Sequence, residues 1–200
     1  MMKFILVLAV NYLVGSIPFG LLFGRWWAQI DVRQHGSGNI GMTNVLRAAG
    51  YLPAFFTLVC DVGKGVLAVL LAKTVSADPF FWLLAGIAAV MAHNWPLFLK
   101  FKGGKGVAAM AGVLLTVRPI VALILAIIWF LVVFIYRYIS LASIVVVAIF
   151  PFLLLFFRVQ WSEFLLALII AAVTVYKHRS NIKRLRRGTE FKFGQKVKPW

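Results

Sequence analysis

The chain has 200 residues, 63% of them hydrophobic and 15% aromatic, with 21 Lys and Arg against five Asp and Glu, for a formal net charge of +16. A chain this apolar falls outside soluble globular usage, so its positive charge belongs at a membrane surface and no nucleic-acid partner is expected. The single cysteine, Cys60, excludes an internal disulfide and a thiolate metal cluster.

In chain order, the first apolar run covers about 4–23 and opens MMKFILVLAVNYLVGSIPFG. It continues to Phe23 with no small-x-small cleavage site at its end, so it is expected to be a retained first span and not a signal peptide. Further runs lie at about 52–73, 80–99, 107–117, 120–136, 140–157 and 161–178. Several approach the ~20 residues a helical span requires. Between 107 and 136 the pair Arg118-Pro119 interrupts the run, which could be one long helix or two short ones.

Charge decides between them. With two spans there are seven crossings, and sixteen Lys/Arg fall on one side, nine of them in the tail after Tyr176. Lys3, Lys73, Arg118 and Arg158 fall on the other side, and Lys64 lies within a span. A single span gives only twelve against seven. The positive-inside bias therefore favours seven transmembrane helices, with the N-terminus outside and the C-terminus in the cytoplasm. The expected architecture is one all-α polytopic membrane domain over 1–200, with cytoplasmic motif loops at 31–50 and 100–106 and a basic tail at 177–200. The fourth span is short, since 11 residues reach only ~17 Å, and Arg118 would have to snorkel.

This topology gathers three polar segments at one face: GSGNIGMTNVLR (36–47), KFKGGKG (100–106) and HRSNIKRL (178–185). In the first, Gly36, Gly38 and Gly41 allow backbone N–H groups to converge on an anion, while Ser37, Asn39, Thr43 and Asn44 add neutral donors and Arg47 a fixed positive fork. The second sets Lys102 and Lys105 around Gly103 and Gly104, before the helix whose N-terminal dipole also favours negative charge. The third presents His178, Asn181 and Arg184 at a spacing of three, on one helical face. An uncharged Ser-Gly-Asn-x-Gly-x-Thr-Asn run does nothing for topology, so a functional reading is favoured there. Arg179, Lys183, Arg186, Arg187, Lys192, Lys196 and Lys198 read more simply as topological anchors or as a surface for anionic lipid.

The glycine-lysine stretch is not a nucleotide P-loop, because Leu99 and Gly106 stand where that motif needs Gly and Ser/Thr. Asp61 and Lys64, three apart within a span, form either a mutually neutralising pair or a support for the site. His93 is expected to be a packed histidine and His35 a loop residue. No His-x4-Asp dyad is present, since Ile40, Phe98 and Lys183 occupy the fifth place after each histidine.

DVRQHGSGNIGMTNVLR, DVGKG, HNWPLFLKFKGGKGVA and HRSNIKRLRRGTEFK, in this order and at these spacings, resemble the bacterial acyl-phosphate:glycerol-3-phosphate acyltransferase family of integral membrane proteins. The resemblance extends over about the whole chain. Met42 and Trp95 depart from the usual family residues and leave the proposed ligands intact.

The resemblance implies transfer of a fatty acyl group from acyl phosphate to the 1-hydroxyl of sn-glycerol 3-phosphate, giving lysophosphatidic acid and phosphate, in the bacterial cytoplasmic membrane with the site facing the cytoplasm. It assigns Ser37, Arg47, Lys105, His178 and Asn181 to glycerol 3-phosphate. Gly38, Asn39, Gly41, Thr43, Asn44, Lys102, Gly103 and Gly104 go to the acyl phosphate and the oxyanion, with Asp61 and Lys64 in support. Neither cofactor nor metal is expected. Membrane lipid and the enzyme supplying acyl phosphate are the other partners implied. Either His178 or the leaving phosphate would take the hydroxyl proton. The competing class is an organic-phosphate transporter, which would show paired internal repeats with broken helices at the midplane. The anion motifs here cluster at one face instead.

Overall fold

The computed structural model describes residues 1–195, and over these the chain is helical throughout. Lys196 and Lys198 of the expected basic tail lie outside the described residues. The first apolar run becomes two helices, α1 (Met2–Gly15) and α2 (Phe19–Ala28). They part at Ser16–Pro18 because proline has no N–H to continue the ladder. The polar segment after them is not only a loop, for it folds from Gly41 into a short amphipathic helix, α3 (Met42–Ala49).

Gly50, at φ +93°, turns the chain into the long α4 (Tyr51–Lys73). The next helix, α5 (Pro79–Asn94), starts as sequence chemistry dictates, with the Asp78 carboxylate accepting the Phe80 N–H at 2.9 Å and Pro79 in the first turn.

The 107–136 region forms two helices, α6 (Val107–Val117) and α7 (Pro119–Tyr136), broken at Arg118. Two more long helices follow, α8 (Ile139–Phe156) and α9 (Trp161–Lys177), and then α10 (Arg179–Arg186), bent 57° from α9. Five segments are long and apolar enough to cross a membrane and the α9–α10 pair makes a sixth, while α6 has only 11 residues. The chain is therefore a multi-pass integral membrane protein.

Small residues set the packing, as expected where lipid removes the hydrophobic drive between helices. Cβ atoms at Gly65 and Gly112 would collide with the backbones of Ala109 and Val62 respectively, so α4 and α6 touch almost backbone to backbone. Asn11, fully buried on α1, donates to the carbonyls of Ala68 on α4 and Ala85 on α5. An apolar core of Val69, Leu83, Val90, Val113, Leu125, Phe150 and Ile170 joins α4 through α9. Arg118 closes one end of the bundle with a two-pronged ion pair to Glu163, at 2.9 and 2.8 Å. The opposite end carries the three polar motifs.

Candidate active site

The first motif loop is organised by one side chain. Asn44, 2% exposed, accepts the Ser37 N–H at 2.8 Å and donates to the carbonyls of Val32, His35 and Asn39. Its hydrogen-bonding capacity is used inside the loop, so Asn44 fixes the shape of this wall of the cavity. Asn39 accepts the Gly41 N–H at 2.8 Å and closes a second turn. Ser37, Thr43 and Arg47 face the resulting cavity.

The second motif is moulded on α5. The Gly104 N–H donates to the His93 carbonyl at 3.0 Å, and any Cβ at Gly104 would overlap the His93 imidazole. Lys100 and Phe101 both take positive φ, 50° and 61°. That reversal turns Lys102 outward to an exposed position while Lys105 points into the cavity. Lys102 lines an outer cavity with Gly38 and Gly103, whereas Lys105 lines the inner one.

In the third motif, His178 sits at the α9–α10 bend with Nδ1 at 2.8 Å from the Thr174 carbonyl. A carbonyl only accepts, so Nδ1 carries the hydrogen and Nε2 keeps its lone pair. The tail then turns back to bring Glu190, 6% exposed, under the site. Its Oε1 accepts from Ser140 and Asn181 at 2.9 and 2.8 Å, and its Oε2 from Arg184 at 2.7 Å. The Asn181 oxygen is buried without a partner among the described residues.

Behind the cavity, Lys64 lies 2.7 Å from Asp61 and 2.7 Å from Nδ1 of His93. Asp61 and Lys64 do form the expected pair, and His93 is more than a packed residue because it completes the cluster. Asp61 and His93 reach the cavity wall, and Lys64 stands behind them.

Ser37, Asn39, Gly41, Thr43, Asn44, Arg47, Asp61, Lys105, His178 and Asn181 share one cavity of about 380 Å³. Gly104 borders a smaller polar chamber beside it. The same cavity runs on between α4 and α6–α9 along Leu58, Val62, Leu114, Leu125, Trp129, Val146 and Phe150. A polar mouth thus opens directly onto an apolar trough.

Burial pulls the Lys105 ammonium down to about 8, with Glu190 opposing and Arg184, Arg47 and Lys177 adding to the fall. Burial likewise lowers Arg47, the Glu190 carboxylate opposing, but a guanidinium keeps its charge. Arg47, Lys105 and Arg184 surround Glu190, and the other carboxylate of the cavity wall, Asp61, is paired with Lys64, so the mouth is left electropositive.

Glu190 and Ser140 carry no assignment from the sequence, where His93 reads as packing. Glu190 carried the one available signal, being one of only five acids and lying just beyond the third motif.

Fold and site together define a class: an integral membrane protein built to hold an anionic head over an apolar chain. The family model described as Glycerol-3-phosphate acyltransferase matches residues 5–188, and the chain belongs to that family. It is 46% identical over 192 residues to Glycerol-3-phosphate acyltransferase 2 of Moorella thermoacetica, covering 96% of this chain and 98% of that one. It is 41% identical to the Glycerol-3-phosphate acyltransferase of Desulforamulus reducens, covering 96% of each. Among solved structures it is similar to PlsY (YgiH), an integral membrane glycerol 3-phosphate acyltransferase. The glycerol 3-phosphate form gives a TM-score of 0.89 at 36% identity over 96% of each chain. The lysophosphatidic acid form gives 0.86 at 35% identity, covering 96% of this chain and 95% of that one.

Proposed function

We propose that this chain moves a fatty acyl group from acyl phosphate to the 1-hydroxyl of sn-glycerol 3-phosphate. The products are lysophosphatidic acid and inorganic phosphate, the first acylation of phospholipid biosynthesis. The observation that carries the reading is the single cavity whose cationic mouth, with Ser37, Arg47, Lys105, His178 and Asn181, continues into an apolar trough. Both reactants bear phosphate and one bears a long chain, so a site for them needs positive charge and apolar depth in one space.

In this reading the acyl chain lies along Leu114, Leu125 and Phe150, with its carbonyl at the mouth. Arg47 and Lys105 hold phosphate charge, with hydrogen bonds from Ser37 and Asn181. Asn181 is held by Glu190, which leaves its unpartnered oxygen to accept from a glycerol hydroxyl. The 1-hydroxyl oxygen attacks the acyl carbon, the bond from that carbon to the phosphate oxygen breaks, and the hydroxyl proton passes to the departing phosphate. His178, fixed by its bond to the Thr174 carbonyl, lines the mouth and positions the glycerol backbone, leaving the 1-hydroxyl hydrogen for the phosphate. Acyl phosphate is a mixed anhydride with a good leaving group, so positioning and charge stabilisation suffice without a nucleophilic residue.

The charge distribution supports seven crossings with the C-terminus in the cytoplasm of a bacterial inner membrane. The segments that rule gathers on one side also meet in space, as where Phe193 N–H donates to the Arg137 carbonyl at 2.6 Å and Arg47 to that of Phe191 at 3.4 Å. The donor would come from a separate enzyme that makes acyl phosphate. The deciding assay incubates purified protein with glycerol 3-phosphate and either palmitoyl phosphate or palmitoyl-CoA. Lysophosphatidate should form with the phosphate donor and not the thioester. The reverse preference would refute the donor assignment.

A further inference from the structure

Two cavities with cations in their walls lie outside the main one, and they share walls in sequence. The nearer, about 200 Å³, has Ser37, Asn39 and Lys105 in common with the main cavity. It has Gly103, Lys177 and Arg179 in common with the outer one, about 770 Å³, which Arg33, Lys100 and Lys102 also border. Among the described residues neither outer cavity has a carboxylate in its wall. Two of the cations are already engaged, Arg33 with Asp31 and Arg184 with Glu190. Lys177 is braced in the wall, donating to the Asn94 carbonyl at 2.7 Å and lying 4.8 Å over the Trp95 ring. Arg179 lies over Tyr176 at 4.5 Å and borders both chambers. Lys100 and Lys102 make no ion pair with a described residue.

Chemistry asks for such a route. An acyl chain can enter and a lysophospholipid can leave along the trough, but a small phosphate dianion cannot cross apolar side chains without losing its hydration. We propose that these chambers form an outer station for water-soluble phosphate, through which the phosphomonoester acceptor enters and inorganic phosphate leaves, with Arg179 its gatepost. The station rests on the acyl-transfer reading and adds a binding site outside the catalytic mouth, with which it shares the wall of Ser37, Asn39 and Lys105.

The test uses full-length protein in nanodiscs of phosphatidylcholine alone, with acyl phosphate saturating. Arg179→Glu should lower kcat/KM for glycerol 3-phosphate about tenfold at low ionic strength, the scale of electrostatic steering into a charged cleft. It should weaken product inhibition by added inorganic phosphate in parallel, and the deficit should shrink to within about twofold in high salt as charges are screened. The KM for acyl phosphate should not move. Arg186→Glu, on the same short helix and outside both chambers, makes the same charge change and should match wild type. Equal effects at the two positions would overturn the station in favour of general surface charge. An Arg179→Glu defect that appears only after anionic lipid is added would overturn it in favour of a headgroup site. A wild-type protein inactive with both reactants would instead strike the acyl-transfer reading itself.

Discussion

Lys64 on α4 lies 2.7 Å from Nδ1 of His93 on α5 and 2.7 Å from Asp61 one turn back. An ammonium only donates, so Nδ1 accepts and the imidazole carries its hydrogen on Nε2. That nitrogen faces Gly104 in the second motif. A charge pair buried in a transmembrane helix therefore sets the plane on which the cationic loop rests.

Removing one member should do more harm than removing two. Lys64→Met leaves the Asp61 carboxylate buried without its partner and should cost roughly 3–5 kcal/mol of stability. The double variant Asp61→Asn with Lys64→Met should recover much of that. Midpoints of heat inactivation in detergent measure both, and equal losses would show that the pair is not the reason the charges are tolerated.

The loop should be equally intolerant of a methyl group. Gly104→Ala puts a Cβ into the His93 ring, and Gly103→Ala puts one against Pro96 and the His93 carbonyl. Either should displace Lys105 and lower kcat/KM by about 100-fold, the order expected for a misplacement near 1 Å. Gly63→Ala, with nothing within 4 Å of the new atom, should leave turnover unchanged.

Lys105 sets the alkaline limb of the pH profile. Its ammonium is lowered to about 8, so the positive charge is present below that pH and is lost as pH rises through it. The kcat/KM for glycerol 3-phosphate, which reports the free enzyme, should fall above pH 8. Lys105→Arg should move this limb to higher pH, whatever its effect on the plateau.

Transfer should leave no acyl group on the protein. Cys60 lies outside the cavity wall, and among the described residues the Ser37 hydroxyl makes no hydrogen bond to a histidine or a carboxylate that would activate it. Radiolabelled acyl phosphate alone should give no hydroxylamine-labile label, and Cys60→Ser should keep near-normal activity. Stoichiometric label that passes to glycerol 3-phosphate would establish a covalent route.

What could be read in the sequence was whatever depends on local chemistry or charge count. Arg118-Pro119 breaks the helix where its residues predict, and the three motifs come together at one end of the bundle. Asp61 and Lys64 pair because a spacing of three allows it. Long-range geometry decides the surroundings of ordinary residues. Asn44 is held by carbonyls up to twelve residues away, and Lys102 is turned outward by positive φ at two neighbours. His93 looked like packing because its partner is 29 positions distant. Glu190 went unseen because only the return of the chain brings it beneath Ser140 and Asn181. Neither Ser16–Pro18 nor α3 was anticipated, since apolar continuity hid the break and glycine content hid the helix.

The central claim is that transfer takes place at the cationic mouth of the trough, and Lys105 tests it most directly. Lys105→Ala removes a charged contact to phosphate of roughly 1.5–3 kcal/mol. Steady-state assay with palmitoyl phosphate and glycerol 3-phosphate should show kcat/KM reduced at least about tenfold. Lys183→Ala, exposed on α10 and away from the cavity, should match wild type. Equal losses at the two positions, or none at Lys105, would contradict the account.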